Sequence, residues 1–416
     1  MSSCENQAEN GTIRTVFPSG KQPLADPDTC ACVKYSLVPA DPDAAESTRE
    51  LMRSLYDMSK SKAVMFGQQN AGHIGISIGR FDGTDSDIKR ISGTHPAVVG
   101  IDTLSFTGYE GTFSQAVAVT KQLHRENVMV TLSMHAPNFA LCDTEFAGYS
   151  PNSVEPEIVT EIMPGGRYHA DFLRYLDIIA EYAQAVTDDS GENIPVIFRP
   201  FHENNGSWFW WGAVHCTAYE YKDLFRYTIL YLQKEKGIHN FLYAYSPNGP
   251  FADEAEYLSR YPGDDFIDII GFDMYHDRPS ALDNWMDTLT QTCRQVCAVA
   301  RDHHKVAAVT EAGLRMLDTA ADGCEYEGLS PAGNPRPDWF LECLNAITGD
   351  PLACEIAYFL TWSNFSKTQF WAPYLIDENH GHEMINEFAE FLNDPRVILA
   401  GESNCHSMLR RAEEHT

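Results

Sequence analysis

No stretch of the 416-residue chain carries 18 or more consecutive apolar residues, which excludes a membrane-spanning helix. Positive charge is scarce: 30 Lys and Arg stand against 59 Asp and Glu, a net charge of −29. A surface this acidic repels phosphate backbones, anionic lipid and acidic polysaccharides such as pectin. Nucleic acid and membrane are therefore not expected as partners, and a neutral substrate fits better, although solubility alone also accounts for the charge. The 11 cysteines lack the spacing of a zinc ribbon or finger. Their odd number implies at least one free thiol beside long-range disulfides, a usage that favours export. The start, Met1-Ser2-Ser3-Cys4, has neither a basic n-region nor an apolar h-region. The expectation of a secreted protein thus assumes a leader removed ahead of this chain, the alternative being the cytoplasm.

What is present is apolar and aromatic material, 44% and 12% of the residues, enough for one large core. Residues 1–45 are rich in Ser, Asn, Asp and Pro and read as an extended arm; 46–400 read as a single catalytic domain and 401–416 as a tail. Within the domain, eight apolar, β-branched runs each end in polar residues: Ala63–Gln69, Ala97–Thr103, Val128–His135, Pro195–Glu203, Asn240–Asn248, Phe266–Tyr275, Lys305–Gly313 and Glu355–Asn364. Such runs are the mark of strands buried on both faces. Three- and four-residue apolar spacing predicts helices over Ser47–Lys60, Phe113–Asn127, Tyr168–Asp188, Ala218–Lys236, Ala281–His303, Pro337–Ile347 and Met384–Leu392. The alternation predicts an α/β fold, a (β/α)₈ TIM barrel. A doubly wound open sheet would show a Gly-rich phosphate turn after its first strand, and Gln68-Gln69-Asn70-Ala71-Gly72 is no such turn.

A barrel of this kind gathers its functional groups at the carboxyl ends of its strands. Those ends carry His135 on the third, Arg199, His202 and Glu203 on the fourth, Asp273 and Tyr275 on the sixth, Glu311 on the seventh, and Trp362 and Asn364 on the eighth. Singly, each is a common structural residue; ionisable groups converging on one mouth are not, because they are rarely buried without partners. Two carboxylates on different strands of one pocket suit glycosidic bond cleavage, with one protonated as acid and the other ionised as nucleophile. Arg199 is displaced from Glu203 by an even number of residues, so strand alternation predicts that both face the same way. Tyr275 is placed to bond Glu311. Four aromatics follow Glu203 in Gly206-Ser-Trp-Phe-Trp-Trp-Gly212, flat faces suited to pyranose rings, of which one or two are expected to pack as a lid. The competing chemistry is Zn²⁺ on His135, His202, Glu203 and Glu311, but no His-Glu-x-x-His helix is present and His202 and Glu203 are adjacent.

The stretch Ile197-Phe-Arg-Pro-Phe-His-Glu-Asn-Asn-Gly-Ser-Trp-Phe-Trp-Trp-Gly212 resembles the signature of glycoside hydrolase family 26, most of whose members are β-1,4-mannanases. Met65-Phe-Gly-Gln-Gln69, Gly100-Ile-Asp-Thr103, His135-Ala-Pro-Asn138, Leu242-Tyr-Ala-Tyr-Ser-Pro-Asn248, Tyr261-Pro-Gly-Asp-Asp265, Gly271-Phe-Asp-Met-Tyr275 and Val309-Thr-Glu-Ala-Gly313 resemble it too, over roughly residues 47–395. The resemblance implies an endo-acting, retaining enzyme on a neutral mannan-type polymer, with Glu203 as acid/base and Glu311 as nucleophile. It implies that His202 and Trp208 line the cleaved bond, that Arg199 and Tyr275 hold the nucleophile, and that His135, Asp273 and Trp362 contact the sugar. No cofactor and no metal is implied, and a monomer is expected. Two positions depart from the pattern: Ser363 stands where some relatives carry Arg, and Gln68 where His is usual. β-1,3-Xylan and mixed-linkage glucan remain alternative polymers, and a non-catalytic carbohydrate-binding barrel remains an alternative class. Of three N-glycosylation patterns, at Asn10, Asn205 and Asn364, only Asn10 lies away from the expected site.

Overall fold

The computed structural model describes residues 37–141, 153–319 and 325–401. Cys4, Cys30, Cys32, Cys142, Cys324, Cys405 and Asn10 lie outside them, as do most of the expected arm and nearly all of the expected tail. Eight parallel strands form the barrel: β1 (Val64–Gln69), β2 (Val98–Asp102), β3 (Met129–Ser133), β4 (Val196–Arg199), β5 (Phe241–Tyr245), β6 (Ile269–Asp277), β7 (Val306–Arg315) and β8 (Ile356–Thr361). Pairing of β8 with β1, Met65 opposite Tyr358, closes the sheet on itself. A short strand β9 (Val397–Ile398) adds to the outside of β1.

Helices α1 (Glu46–Ser59), α2 (Asp87–Ser92), α3 (Phe113–Arg125), α4 (His169–Ala185), α5 (Ala218–Leu230), α6 (Glu254–Leu258), α7 (Trp285–Asp302), α8 (Trp339–Thr348) and α9 (Ile385–Asn393) accompany the strands. All seven expected helices are present; α5 gives way to a π-helical turn at Tyr231–Glu235. The helices α2 and α6 were not foreseen, because six and five residues are too few for apolar periodicity to show. Their ends instead carry local signals: the side chains of Ser86 and Asp253 cap the first turns, and Gly93 at φ 85° ends α2.

Alternation divides the strand residues between two cores. Met65, Val98, Met129, Ile197, Leu242 and Ile269 fill the barrel interior, where Leu51, Met52, Leu55 and Met58 of α1 join them. That helix plugs the amino-terminal end, leaving the carboxyl end open. Phe66, Val99, Val130, Phe198 and Ile270 point outward into the helical layer. There Phe66, fully buried, meets the rings of Phe340, Phe359, Phe388 and Phe391 at 5.1–6.4 Å.

The strand ends differ from the sequence reading. Strand β4 stops at Arg199, four residues before Glu203, while β6 and β7 run on to Asp277 and Arg315 as a projecting ribbon. The five described cysteines, Cys216, Cys293, Cys297, Cys343 and Cys354, are all free and buried, so no long-range disulfide joins described residues; they act as small apolar core residues. Asn364 is buried, its amide spent on Asp87 and on the backbone of Trp371 and Ala372, which removes it as a glycan acceptor. Phe66→Ala is expected to lower unfolding stability by about 3–5 kcal/mol without changing the denaturant m-value, as read by urea or guanidinium titration.

Candidate active site

Arg199, the last residue of β4, shares the inward parity of Ile197. Its side chain is almost fully buried and bridges two acids: Nη1 lies 2.7 Å from Asp273 Oδ2, and Nη2 2.6 Å from Glu311 Oε2. Burial opposes its charge, but the two carboxylates outweigh burial and hold the guanidinium above its ordinary pKa. The Tyr275 hydroxyl donates to the other Glu311 oxygen at 2.6 Å; burial and then Glu311 keep that hydroxyl protonated far above the usual tyrosine range. Both Glu311 oxygens thus accept a hydrogen bond, and the carboxylate is fixed in orientation.

Glu311 reaches the interior through a bulge. Phe272 pairs with Val309 but Asp273 with Glu311, leaving Thr310 as an extra residue. Before it, Ala307 and Val309 face the helices; after it, Ala312 and Leu314 do, so the alternation switches and Glu311 turns inward. The Thr310 hydroxyl contacts both Phe272 O and Asp273 Oδ1, at 2.9 and 2.7 Å.

Glu203 arrives by a different route. Phe201 and Glu203 adopt left-handed backbone, φ 51° and 50°, a conformation costing about 1–3 kcal/mol per residue. The Glu203 N–H donates to Ser246 O at 2.7 Å, and Trp208 Nε1 donates to the Glu203 carboxylate at 2.6 Å. Burial, reinforced by the Glu311 charge, pushes the Glu203 carboxyl up to about 7, with Trp208 and Arg199 pulling against it. One carboxyl is therefore clamped by a cation and a phenol while the other is held near neutrality. A separation of roles between two acids in one site needs such a contrast.

The mouth opens into a cavity of about 670 Å³ lined by Ile74, Glu110, His135, Trp362, Phe365 and Trp371 among others, all from the loops after β1, β2, β3, β7 and β8. His135 Nδ1 is 2.7 Å from Asp102 Oδ2; burial disfavours its charge, but Asp102 outweighs this and raises its pKa. His202, buried beside Arg199 and His135, is pushed well below the ordinary range and is neutral. A second cavity, of about 500 Å³, lies at the opposite end by α1. Its Lys60 and Arg301 both pair with Glu355, so it gathers no comparable reactive set.

The model of glycosyl hydrolase family 26 matches residues 40–318. The chain belongs to this family. A mannan endo-1,4-beta-mannosidase of Bifidobacterium adolescentis is 37% identical over 78% of the chain, which spans only 32% of that relative. The catalytic domain of the Bacillus sp. JAMB-750 family 26 endo-beta-1,4-mannanase superposes with a TM-score of 0.80 at 37% identity, covering 88% of this chain and 94% of that one. An endo-beta-1,4-mannanase double mutant of Cellulomonas fimi superposes with a TM-score of 0.78 at 34% identity, covering 89% and 80%.

Within this family 26 barrel the structure brings Glu203, Glu311, Arg199, Tyr275, His202 and Trp208 together, with His135 and Trp362 on the cavity wall. Asp273 is the exception: it is fully buried against Arg199 and Thr310 and so positions the arginine rather than touching sugar. Arg199 and Glu203 do not share a strand face, because the strand ends at Arg199 and the chain is left-handed at Phe201 and at Glu203 itself. Three of the four loop aromatics, Phe209, Trp210 and Trp211, are buried, more than the one or two expected; only Trp208 stays partly open. Asp102, Glu110, Thr310 and Trp371 escaped the sequence reading. Asp102 had a signal, as an acid closing the apolar run Val98–Ile101; the others sit in loops or within a strand and carry none.

The activity of the free enzyme is expected to fall on the basic side with a midpoint near pH 7, as Glu203 loses its proton. Trp208→Phe removes a donor to the ionised form and moves that limb of the kcat/KM profile upward. The same carboxyl costs stability as pH rises from its ordinary 4.5 to about 7, because the folded state holds the proton that the unfolded state has released. Glu203→Gln is therefore expected to raise Tm over wild type at about pH 8 and to leave it nearly unchanged at about pH 4.

Proposed function

We propose that the chain is a retaining, endo-acting β-1,4-mannanase that cleaves mannan, glucomannan or galactomannan. The observation that carries this reading is the contrast between Glu311, clamped by Arg199 and Tyr275, and Glu203, held near neutrality beside Trp208. Family membership and the names of relatives, mannan endo-1,4-beta-mannosidases among them, support the polymer. An open cleft supports internal attack, and a surface of net charge −29 suits an uncharged chain. Because such a polymer does not cross a membrane, the reading places the enzyme outside the cell.

In the first step Glu203 gives its proton to the glycosidic oxygen while a Glu311 oxygen attacks the anomeric carbon. The carbon–oxygen bond to the leaving sugar breaks, and a glycosyl ester forms on Glu311. Arg199 and Tyr275 keep the attacking carboxylate aimed. In the second step the Glu203 carboxylate takes a proton from water as the water oxygen attacks the same carbon. Glu311 leaves as carboxylate, and two inversions give retention. His135, with Asp102 behind it, and the Trp362 ring supply a donor and an apolar face to the sugar at the bond.

Wild-type protein is expected to release mannobiose and mannotriose from linear β-1,4-mannan, with the β-anomer formed first by NMR. Glu311→Ala loses this by several orders of magnitude. Release from β-1,3-xylan or mixed-linkage glucan but not from mannan would keep the mechanism and overturn the polymer. Activity surviving in Glu311→Ala would overturn the nucleophile, and binding without any hydrolysis would favour a non-catalytic barrel.

A further inference from the structure

The loop that delivers Glu203, residues 200–217, is pinned by a side chain that no part of the mechanism uses. Arg260 follows α6, and only 5% of it is exposed. Nη1 donates to Cys216 O at 3.0 Å; Nη2 donates to Trp211 O at 3.2 Å and to Cys216 Sγ at 3.0 Å. The guanidinium lies over the Tyr221 ring, 4.8 Å from its centre. Among the described residues no carboxylate pairs with Arg260, and its Nε has no partner. A buried cation without a counter-ion is costly, and an apolar side chain would fill the same space at lower cost. Packing alone therefore does not account for an arginine at this position.

Its contacts lead to the acid. Trp211, held through its carbonyl, donates from Nε1 to His202 O at 2.7 Å and stacks on Phe209 at 4.4 Å. Tyr221, beneath the guanidinium, donates to Phe201 O at 3.0 Å. Phe201 O and His202 O are the two carbonyls just before Glu203, in the segment whose left-handed backbone needs outside support.

We propose that Arg260 is a positioning residue for the acid/base: by fixing Trp211 and Tyr221 it fixes the two carbonyls ahead of Glu203, and so keeps the Glu203 carboxyl against the glycosidic oxygen. This rests on the reading of Glu203 as the proton donor. Arg260 touches neither substrate nor the reacting atoms, and its loss is felt only where the reaction needs a well-placed proton.

Leaving-group dependence tests this directly. Manno-oligosaccharides leave as sugar alkoxides and need the proton; a dinitrophenolate does not. The values of kcat/KM, which report the first chemical step, are measured on mannotetraose and on 2,4-dinitrophenyl β-mannobioside for wild type, Arg260→Met, Arg260→Lys and Glu203→Ala. Arg260→Met is expected to lose about tenfold on mannotetraose and less than about twofold on the aryl substrate, a muted copy of Glu203→Ala. Should Arg260→Met fail to fold, Arg260→Lys, which keeps the charge but loses the fork that reaches two carbonyls, carries the same comparison. Parallel losses on both substrates, or no loss on either, would overturn the proposal. If Glu203→Ala itself lacks the signature, the assignment of the acid falls instead.

Discussion

One buried guanidinium organises the mouth of this barrel. Arg199 lies between Asp273 and Glu311, within 2.7 Å of each, with no exposed path for its charge. A cation taken out of water is stable there only while both acids face it, and removing one partner of such a pair costs about 3–5 kcal/mol. The arginine therefore ties strands β4, β6 and β7 together at their carboxyl ends. Asp273 steadies the arginine, the arginine steadies Glu311, and Thr310 steadies Asp273 in turn.

That arrangement depends on two departures from regular backbone. A strict β7 would turn Glu311 toward the helices, and the extra residue Thr310 corrects this. A strict β4 continuing to residue 203 would not place Glu203 beside Trp208; the chain instead leaves the strand and passes through two left-handed residues. Both irregularities lie at the two acids of the mouth, where strain is maintained by surrounding contacts rather than by local preference. The buried aromatics after Glu203 supply that support: Trp210 and Trp211 spend their N–H groups on Ala136 O and His202 O rather than on substrate.

The cleft beyond the two acids continues the same logic. Glu110 is pushed up to about 7, chiefly by burial and then by Asp102, and is held by Asn70 at 3.0 Å. Trp371, 4% exposed, has no partner for its Nε1 among the described residues. Both groups line the cavity at the mouth together with His135 and Trp362. The lining combines polar groups, Glu110 and His135, with the aromatic rings of Trp362, Phe365 and Trp371.

The sequence by itself determined the barrel and picked out Glu203 and Glu311 as the two acids proposed to carry the chemistry. Eight apolar runs separated by helical periodicity leave few other folds, since a strand buried on both faces must sit in a parallel sheet. The polar residues closing those runs were equally legible, because ionisable groups at the ends of buried strands need a common reason to be there. What only the tertiary structure decided was direction and partnership. Asp273 faces Arg199 rather than sugar, Glu311 faces inward because of a bulge, and Glu203 takes Trp208 as its partner while Arg199 takes Asp273 and Glu311. Asp102, Glu110, Trp371 and Arg260 gained their roles from neighbours at least 33 residues away, or from loops that carry no period. A period of two or of 3.6 reports which face of an element is apolar. It cannot report which distant group a buried charge will meet, and that meeting sets both the pKa values and the geometry of this site.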